Sequence, residues 1–139
     1  MHVLLINGSP HEKGCTYTAL SLVAGELNAA GITTEILNVG TKPVGGCIGC
    51  GGCAKGNGCV FGGVVNEAIE KARTADAFVF GTPVHYASAS GNMTSFLDRL
   101  AYAGGKYLAY KPAAICASAR RAGTTSALDQ LVKIGRAHV

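Results

Sequence analysis

The chain alternates short, continuously apolar segments with segments of helical periodicity, and this alternation narrows the fold more than any other feature. Val3 to Ile6 (VLLI) ends at once in the turn residues NGSP, as a buried strand running into a loop does. Between Thr16 and Ala30, Leu20, Val23, Ala24 and Leu27 recur at helical spacing, and Gly31 is placed to close that helix in a left-handed cap. Thr33 to Val39 reads as a second strand, and a second helix places Val65, Ala68, Ile69 and Ala72 on one face. DAFVFG (Asp76 to Gly81) is a third strand, followed by a helix from Gly91 to Ala103 that turns Met93, Phe96, Leu97 and Leu100 inward. Pro112 to Ser118 is a fourth strand, and Leu128, Leu131 and Val132 mark a fourth helix. Strands that are apolar on both faces must be covered on both faces, and right-handed crossovers then leave one solution, an α/β doubly wound parallel sheet.

A flavodoxin-like sheet of this type has five strands in the order 2-1-3-4-5. Four are legible, so a fifth strand and its helix are expected to be missing, and strand four is expected to carry an uncovered apolar edge. The last six residues, 134–139 (IGRAHV), match the translation of a common sequencing adapter and read as a non-native tail after a domain spanning residues 1–133. A natural reading frame diverging after Lys133 is the corresponding expectation.

The chain has 139 residues, 48% of them hydrophobic, which suits one domain with a true core. Only 14% are charged and the net charge is +4, too little and too scattered for a nucleic-acid surface, whereas a small anionic ligand fits. Met1 runs directly into a strand and no apolar run reaches membrane-spanning length, so the reading is cytoplasmic. Cysteines spaced two or three residues apart in a reducing compartment point to metal or redox use rather than disulfides.

Two stretches carry the chemistry. In NGSPHEKGCTYT, backbone N–H groups and the hydroxyls of Ser9, Thr16 and Thr18 gather at a helix N-terminus, a cradle for a phosphate. Neither G-x-G-x-x-G nor G-x-x-x-x-G-K-[ST] is present, which disfavours a dinucleotide pyrophosphate and a P-loop triphosphate and leaves a terminal monophosphate. The plainer alternative is a strand–helix turn in which Ser9 and Thr16 only cap. Cys47, Cys50, Cys53 and Cys59 form C-x2-C-x2-C-x5-C within a glycine-rich loop at 45–63. Such tight spacing lets thiolates converge on a [4Fe-4S] cluster more readily than on zinc, with unligated thiols as the third alternative. Cys116 reads as core packing, and Asp98 and Arg99 as a structural pair or cap.

GSPHEKGCT, CIGCGGC and FVFGTPVHYASASGNMTSFLDRL resemble the flavodoxin-like NADPH-dependent FMN reductase family, whose iron-sulfur flavoprotein branch carries a comparable cysteine run. The resemblance covers Met1 to Lys133. It implies FMN with its phosphate in the first loop, so that Ser9, Thr16 and Thr18 take that role, and with its ring against Pro83, Val84, His85 and Tyr86 in the loop after strand three. Many members have Arg and Asn in place of His11 and Cys15, and Tyr in place of His85. Arg120, after strand four, is the candidate for stabilising negative charge on a flavin, with plain solvent exposure as the alternative.

The implied activity is an FMN-dependent oxidoreductase moving electrons between NAD(P)H or a protein donor and an acceptor, through the cluster if present; no residue is assigned as catalytic, since the flavin carries the chemistry. The resemblance also suggests a homo-oligomer. A non-enzymatic flavodoxin-like carrier and a zinc-stabilised binding module are the competing readings. The net charge of +4 does not favour the acidic docking face that carriers use.

Overall fold

The computed structural model describes residues 1–136, except for the Arg136 side chain. It is a doubly wound α/β sheet, as the alternation predicts. Strands β1 (His2–Asn7), β2 (Thr33–Asn38), β3 (Ala77–His85) and β5 (Ala113–Ser118) are parallel in the order β2-β1-β3-β5. Helices α1 (Cys15–Ala29), α2 (Val64–Thr74) and α3 (Gly91–Gly104) make the crossovers, and α4 (Thr124–Arg136) follows β5. The remaining strand, β4 (Ser88–Ala89), folds back antiparallel on the end of β3. Strand β5 is therefore the fourth strand of the sequence reading, displaced in count by a hairpin that an apolar-run criterion does not detect.

Successive residues of β1 face opposite sides of the sheet. Val3 and Leu5 pack with Leu20 and Ala24 of α1, while Leu4 and Ile6 pack with Val65, Ala68 and Ile69 of α2 and Met93, Phe96 and Leu97 of α3. Each of the Val, Leu, Ile, Met and Phe side chains, taken fully out of water, contributes roughly 1.5–3 kcal/mol before chain entropy is counted. Gly31 adopts φ +78 at the end of α1, the left-handed conformation expected of it. α4 buries Ala127 and Leu131, whereas Val132 is exposed.

Among the described residues β5 pairs only with β3, so its outer edge is open, and Ala113 and Ala114 are exposed. A groove of about 380 Å³ lined by Phe80, Leu97, Ile115 and Leu131 lies beside it. Ile134, in the expected non-native tail, packs against the core from α4; positions 137–139 of that tail lie outside the described residues.

The register aligns the carboxyl ends that matter. Asn7 pairs with Asn38 on one side and Gly81 on the other, and Gly81 pairs with Cys116. The loop leaving β1 consequently starts beside Thr82 of β3, at the point where the strand order reverses.

Candidate functional site

The loop after β1 is built around Asn7, which is fully buried. Its Nδ2 donates to Asn38 Oδ1 (2.8 Å) and to the Glu12 carbonyl (3.3 Å), and its Oδ1 accepts from the Ser9 N–H (3.1 Å). Ser9 Oγ then accepts from the His11 N–H (3.1 Å), closing a tight turn. Gly14 is the N-cap of α1, and no side chain caps that end and no acidic residue occupies the first turn. The N–H groups that open the helix thus lack both a side-chain acceptor and a competing carboxylate, which is the arrangement that favours an anion.

The hydroxyls expected there are less free than the sequence suggests. Thr16 is buried, with Oγ1 2.7 Å from Ser118 Oγ; one of the two protons is used between them and the other is left for a further acceptor. Ser9 accepts within the loop and keeps its own proton. Thr18, exposed and one turn along, donates to the Gly14 carbonyl (3.3 Å).

The segment 82–90 is joined to this loop by hydrogen bonds. Gly8 N–H donates to the Gly81 carbonyl (2.8 Å), and Ser90 Oγ donates to the Gly8 carbonyl (2.8 Å). Ser90 also caps α3 by accepting from the Met93 N–H (3.3 Å), and its own N–H donates to Thr82 Oγ1 (3.0 Å). Ser90 and Thr82, both buried, were not singled out by sequence reasoning. Polar residues at the end of an apolar strand were the available signal.

Residues 82–85, where the sequence predicts loop, continue β3. Val84 pairs with Ala89 and His85 with Ser88, so Tyr86 and Ala87 form a two-residue hairpin turn with φ +49 and +61. Positive φ at both central residues defines the type I′ turn, which ordinarily uses Asn and Gly; two L side chains there cost about 1–3 kcal/mol each. α4 holds the turn in place. Gln130 Oε1 accepts from Ser88 Oγ (2.9 Å) and from the Ala89 N–H (3.3 Å), and Ser126 Oγ donates to the Ala87 carbonyl (2.8 Å). Gly123, at φ +95, lies so close that a Cβ would sit 2.7 Å from Ala87 Cα. Pro83 and Val84 are half-buried, while His85 and Tyr86 are exposed. Arg120 is exposed on the loop after β5 and makes no hydrogen bond among the described residues.

The cysteine loop, between β2 and α2, is irregular apart from a 3-10 turn at Gly52–Lys55. All four cysteines border one cavity of about 140 Å³, together with Val60, Phe61, Arg99 and Tyr102. Cys47 and Cys50 are exposed; Cys53 and Cys59 are half-buried. Among the described residues no three His, Cys, Asp or Glu side chains are gathered closely enough to hold a single metal ion. α3 anchors the loop at both ends. Asn92 Oδ1 accepts from the Val44 N–H (3.1 Å), and its Nδ2 donates to the Gly40 and Lys42 carbonyls. Asn66 of α2 clamps Cys59 by accepting from its N–H (2.8 Å) and donating to its carbonyl (3.0 Å).

Arg99 does not pair with Asp98, contrary to the sequence expectation. The spacing of α3 points Asp98 to solvent and buries Arg99, whose Nε donates to Cys59 Sγ (3.2 Å) and whose Nη2 donates to the Gly62 carbonyl (3.0 Å). Burial raises the Cys116 thiol above its ordinary value, consistent with packing against the α1 side of the sheet.

The NADPH-dependent FMN reductase family matches residues 1–139. An iron-sulfur flavoprotein of Archaeoglobus fulgidus is 33% identical over 99 residues, covering 71% of this chain and 48% of its own length. One from Methanocaldococcus jannaschii is 30% identical over 99 residues, covering 71% and 51%. The chain spans about half the length of the curated relatives it matches. Among solved structures, an apo NADH:FMN oxidoreductase superposes with a TM-score of 0.73 at 21% identity, covering 99% of this chain and 68% of that one. The NAD(P)H:acceptor oxidoreductase FerB of Paracoccus denitrificans gives 0.73 at 19% identity, covering 99% and 71%. At such identities these two likenesses show the fold. With the family match running over the whole chain, the protein belongs to the NADPH-dependent FMN reductase family.

Proposed function

We propose that the protein is an FMN-dependent oxidoreductase, accepting electrons from NAD(P)H or a protein donor and passing them to an acceptor. The observation that carries this reading is the uncapped first turn of α1, set at the reversal point of the sheet and hydrogen-bonded through Gly8 to the segment 82–90. A phosphate there receives N–H bonds from the α1 first turn, together with the free protons of Ser9 and of the Thr16–Ser118 pair. Thr18, whose proton is already directed at Gly14, is the weakest of the three hydroxyl assignments.

FMN supplies hydride and single-electron chemistry when bound; the protein orients it and controls access to it. Pro83 and Val84 offer an apolar wall, and His85 and Tyr86 present rings at the rim of the crevice. The hairpin brace from Gln130 and Ser126 fixes where those rings stand. Arg120, on the loop after β5 and free to approach, is assigned to negative charge on the ring.

For the second cofactor, the residues fit a group wider than one ion. A zinc tetrahedron with bonds of about 2.3 Å needs its sulfurs about 4 Å apart. The four thiols instead border a shared cavity without three of them gathering on a point, which disfavours zinc; the C-x2-C-x2-C-x5-C spacing supports assigning Cys47, Cys50, Cys53 and Cys59 to a [4Fe-4S] cluster, with unligated thiols as the alternative. The names of the archaeal relatives agree with this choice.

No helix among the described residues is long and apolar enough to cross a membrane. A cytoplasmic homo-oligomer completes the proposal. The protein purified without oxygen should show flavin absorbance, an iron–sulfur shoulder, and steady oxidation of NADH or NADPH with an added acceptor. A preparation that binds FMN but oxidises neither nicotinamide would mark a carrier instead, and one that ignores FMN would end the redox reading.

A further inference from the structure

Arg99 is only 7% exposed, yet among the described residues it forms no ion pair; the ion pairs found there belong to Lys71, Arg73 and Lys133. Its guanidinium lies over the Phe61 ring at 5.5 Å and donates to Cys59 Sγ, Gly62 O and, at 3.4 Å, Gly45 O. Those acceptors take one N–H from each of its three nitrogens, and none of them is a carboxylate. Arginine does not escape by losing its proton, so a buried guanidinium without an anion is costly. The same cation borders the cavity on which all four cysteines open. The buried charge of Arg99 thus faces the cavity that the four cysteines share.

Resting on the cysteine-site reading above, we infer that Arg99 is the counter-ion of the cysteine pocket and a positioning residue for its occupant. Four thiolates outweigh the positive charge of an iron–sulfur core, so the ligated group is a net anion, and Arg99 meets it through Cys59. Hydrogen bonds to ligand sulfurs and local charge set cluster potentials; a cationic donor favours the more negative, reduced state and raises the potential. α3 gives this residue a second consequence. The helix begins at the Ser90 cap beside the crevice after β1 and carries Arg99 two turns along, so one rigid element places both the 82–90 segment and the counter-ion.

The test compares the whole chain, prepared without oxygen and reconstituted with iron and sulfide, with Arg99→Gln and Arg99→Lys. Iron and sulfide content, potential by EPR-monitored titration, and melting by circular dichroism are read for each. Gln keeps a donor without charge and should lower the one-electron equilibrium constant at least tenfold, a 59 mV drop. Lys keeps the charge without the planar fork and should hold the potential within half of that shift. A Gln variant with unchanged potential, or a Lys variant shifted as far as Gln, overturns the inference, since a mere brace for the loop carbonyls would be lost equally in both. If Gln does not fold, a folded Lys variant with near-native potential supports it, and a Lys variant that loses the cluster overturns it. Wild-type protein that takes up no iron or sulfide removes the cysteine-site reading and the inference with it; loaded wild type with indifferent variants removes the inference alone.

Discussion

The loops that follow β1 and β2 leave the same edge of the sheet but are held by different means. The first, from Gly8 to Gly14, is tied to β2 through Asn7, to β3 through Gly8 and to α3 through Ser90; Gly8 and Ser9 are buried, while Pro10 to Lys13 are exposed. The second, from Val39 to Gly63, has exposed residues along most of its length and depends on three side chains from outside it, Asn66, Asn92 and Arg99. The first is fixed by protein bonds alone. The second brings its four thiols to one cavity, and on the cluster reading proposed above its order would tighten on ligation, as metal-coupled folding generally does. The proposed phosphate would thus meet dipoles already in place, and the proposed cluster a loop that ligation helps to order.

The sharpest attempt to break this comparison is Asn7→Ala. It strips partners from the Ser9 N–H and Asn38 in a buried site and should cost about 3 kcal/mol by urea unfolding, with FMN affinity falling at least tenfold. Gly123→Ala comes next: a Cβ against the Ala87 backbone at positive φ should cost about 2 kcal/mol and loosen the hairpin, visible as faster amide exchange at Ser88 and Ala89. In the cysteine loop, Asn66→Ala should cost only about 1 kcal/mol, because Cys59 is half-exposed and water can replace the clamp. Cys47→Ser should change stability of the cluster-free chain by less than about 0.5 kcal/mol while reducing iron content. If Asn66→Ala proves as costly as Asn7→Ala, the contrast between the loops fails.

The smallest effect concerns Cys116. Burial raises its thiol above the ordinary 9.0, so the unfolded chain releases that proton first; its contribution is whole below about pH 9 and declines as pH rises towards the folded value. Cys116→Ala should flatten that alkaline decline slightly, and iodoacetamide should modify Cys116 more slowly than Cys47.

The sheet was legible because apolar runs such as VLLI can be buried only between helices, and the inner faces of α2 and α3 followed from period alone. Three features were not. The Tyr86–Ala87 turn has no glycine or asparagine to announce it, since α4 supplies the bracing that such a turn normally finds in its own residues. Arg99 was read with its neighbour Asp98, but adjacent helix positions diverge by about 100°, and its partners lie 37 to 54 residues away in sequence. The bond between Thr16 and Ser118 spans 102 residues, and only the folded sheet brings β5 next to α1. Pattern reports faces; long-range polar pairing needs the topology first.

The central claim is that an ester phosphate is held by backbone amides at the start of α1. Titrating the chain with FMN and with riboflavin, which lacks only the phosphate, tests it most directly by flavin fluorescence. Binding of FMN at least a hundredfold tighter, about 2.7 kcal/mol, is the predicted result. Equal affinities for the two would contradict it.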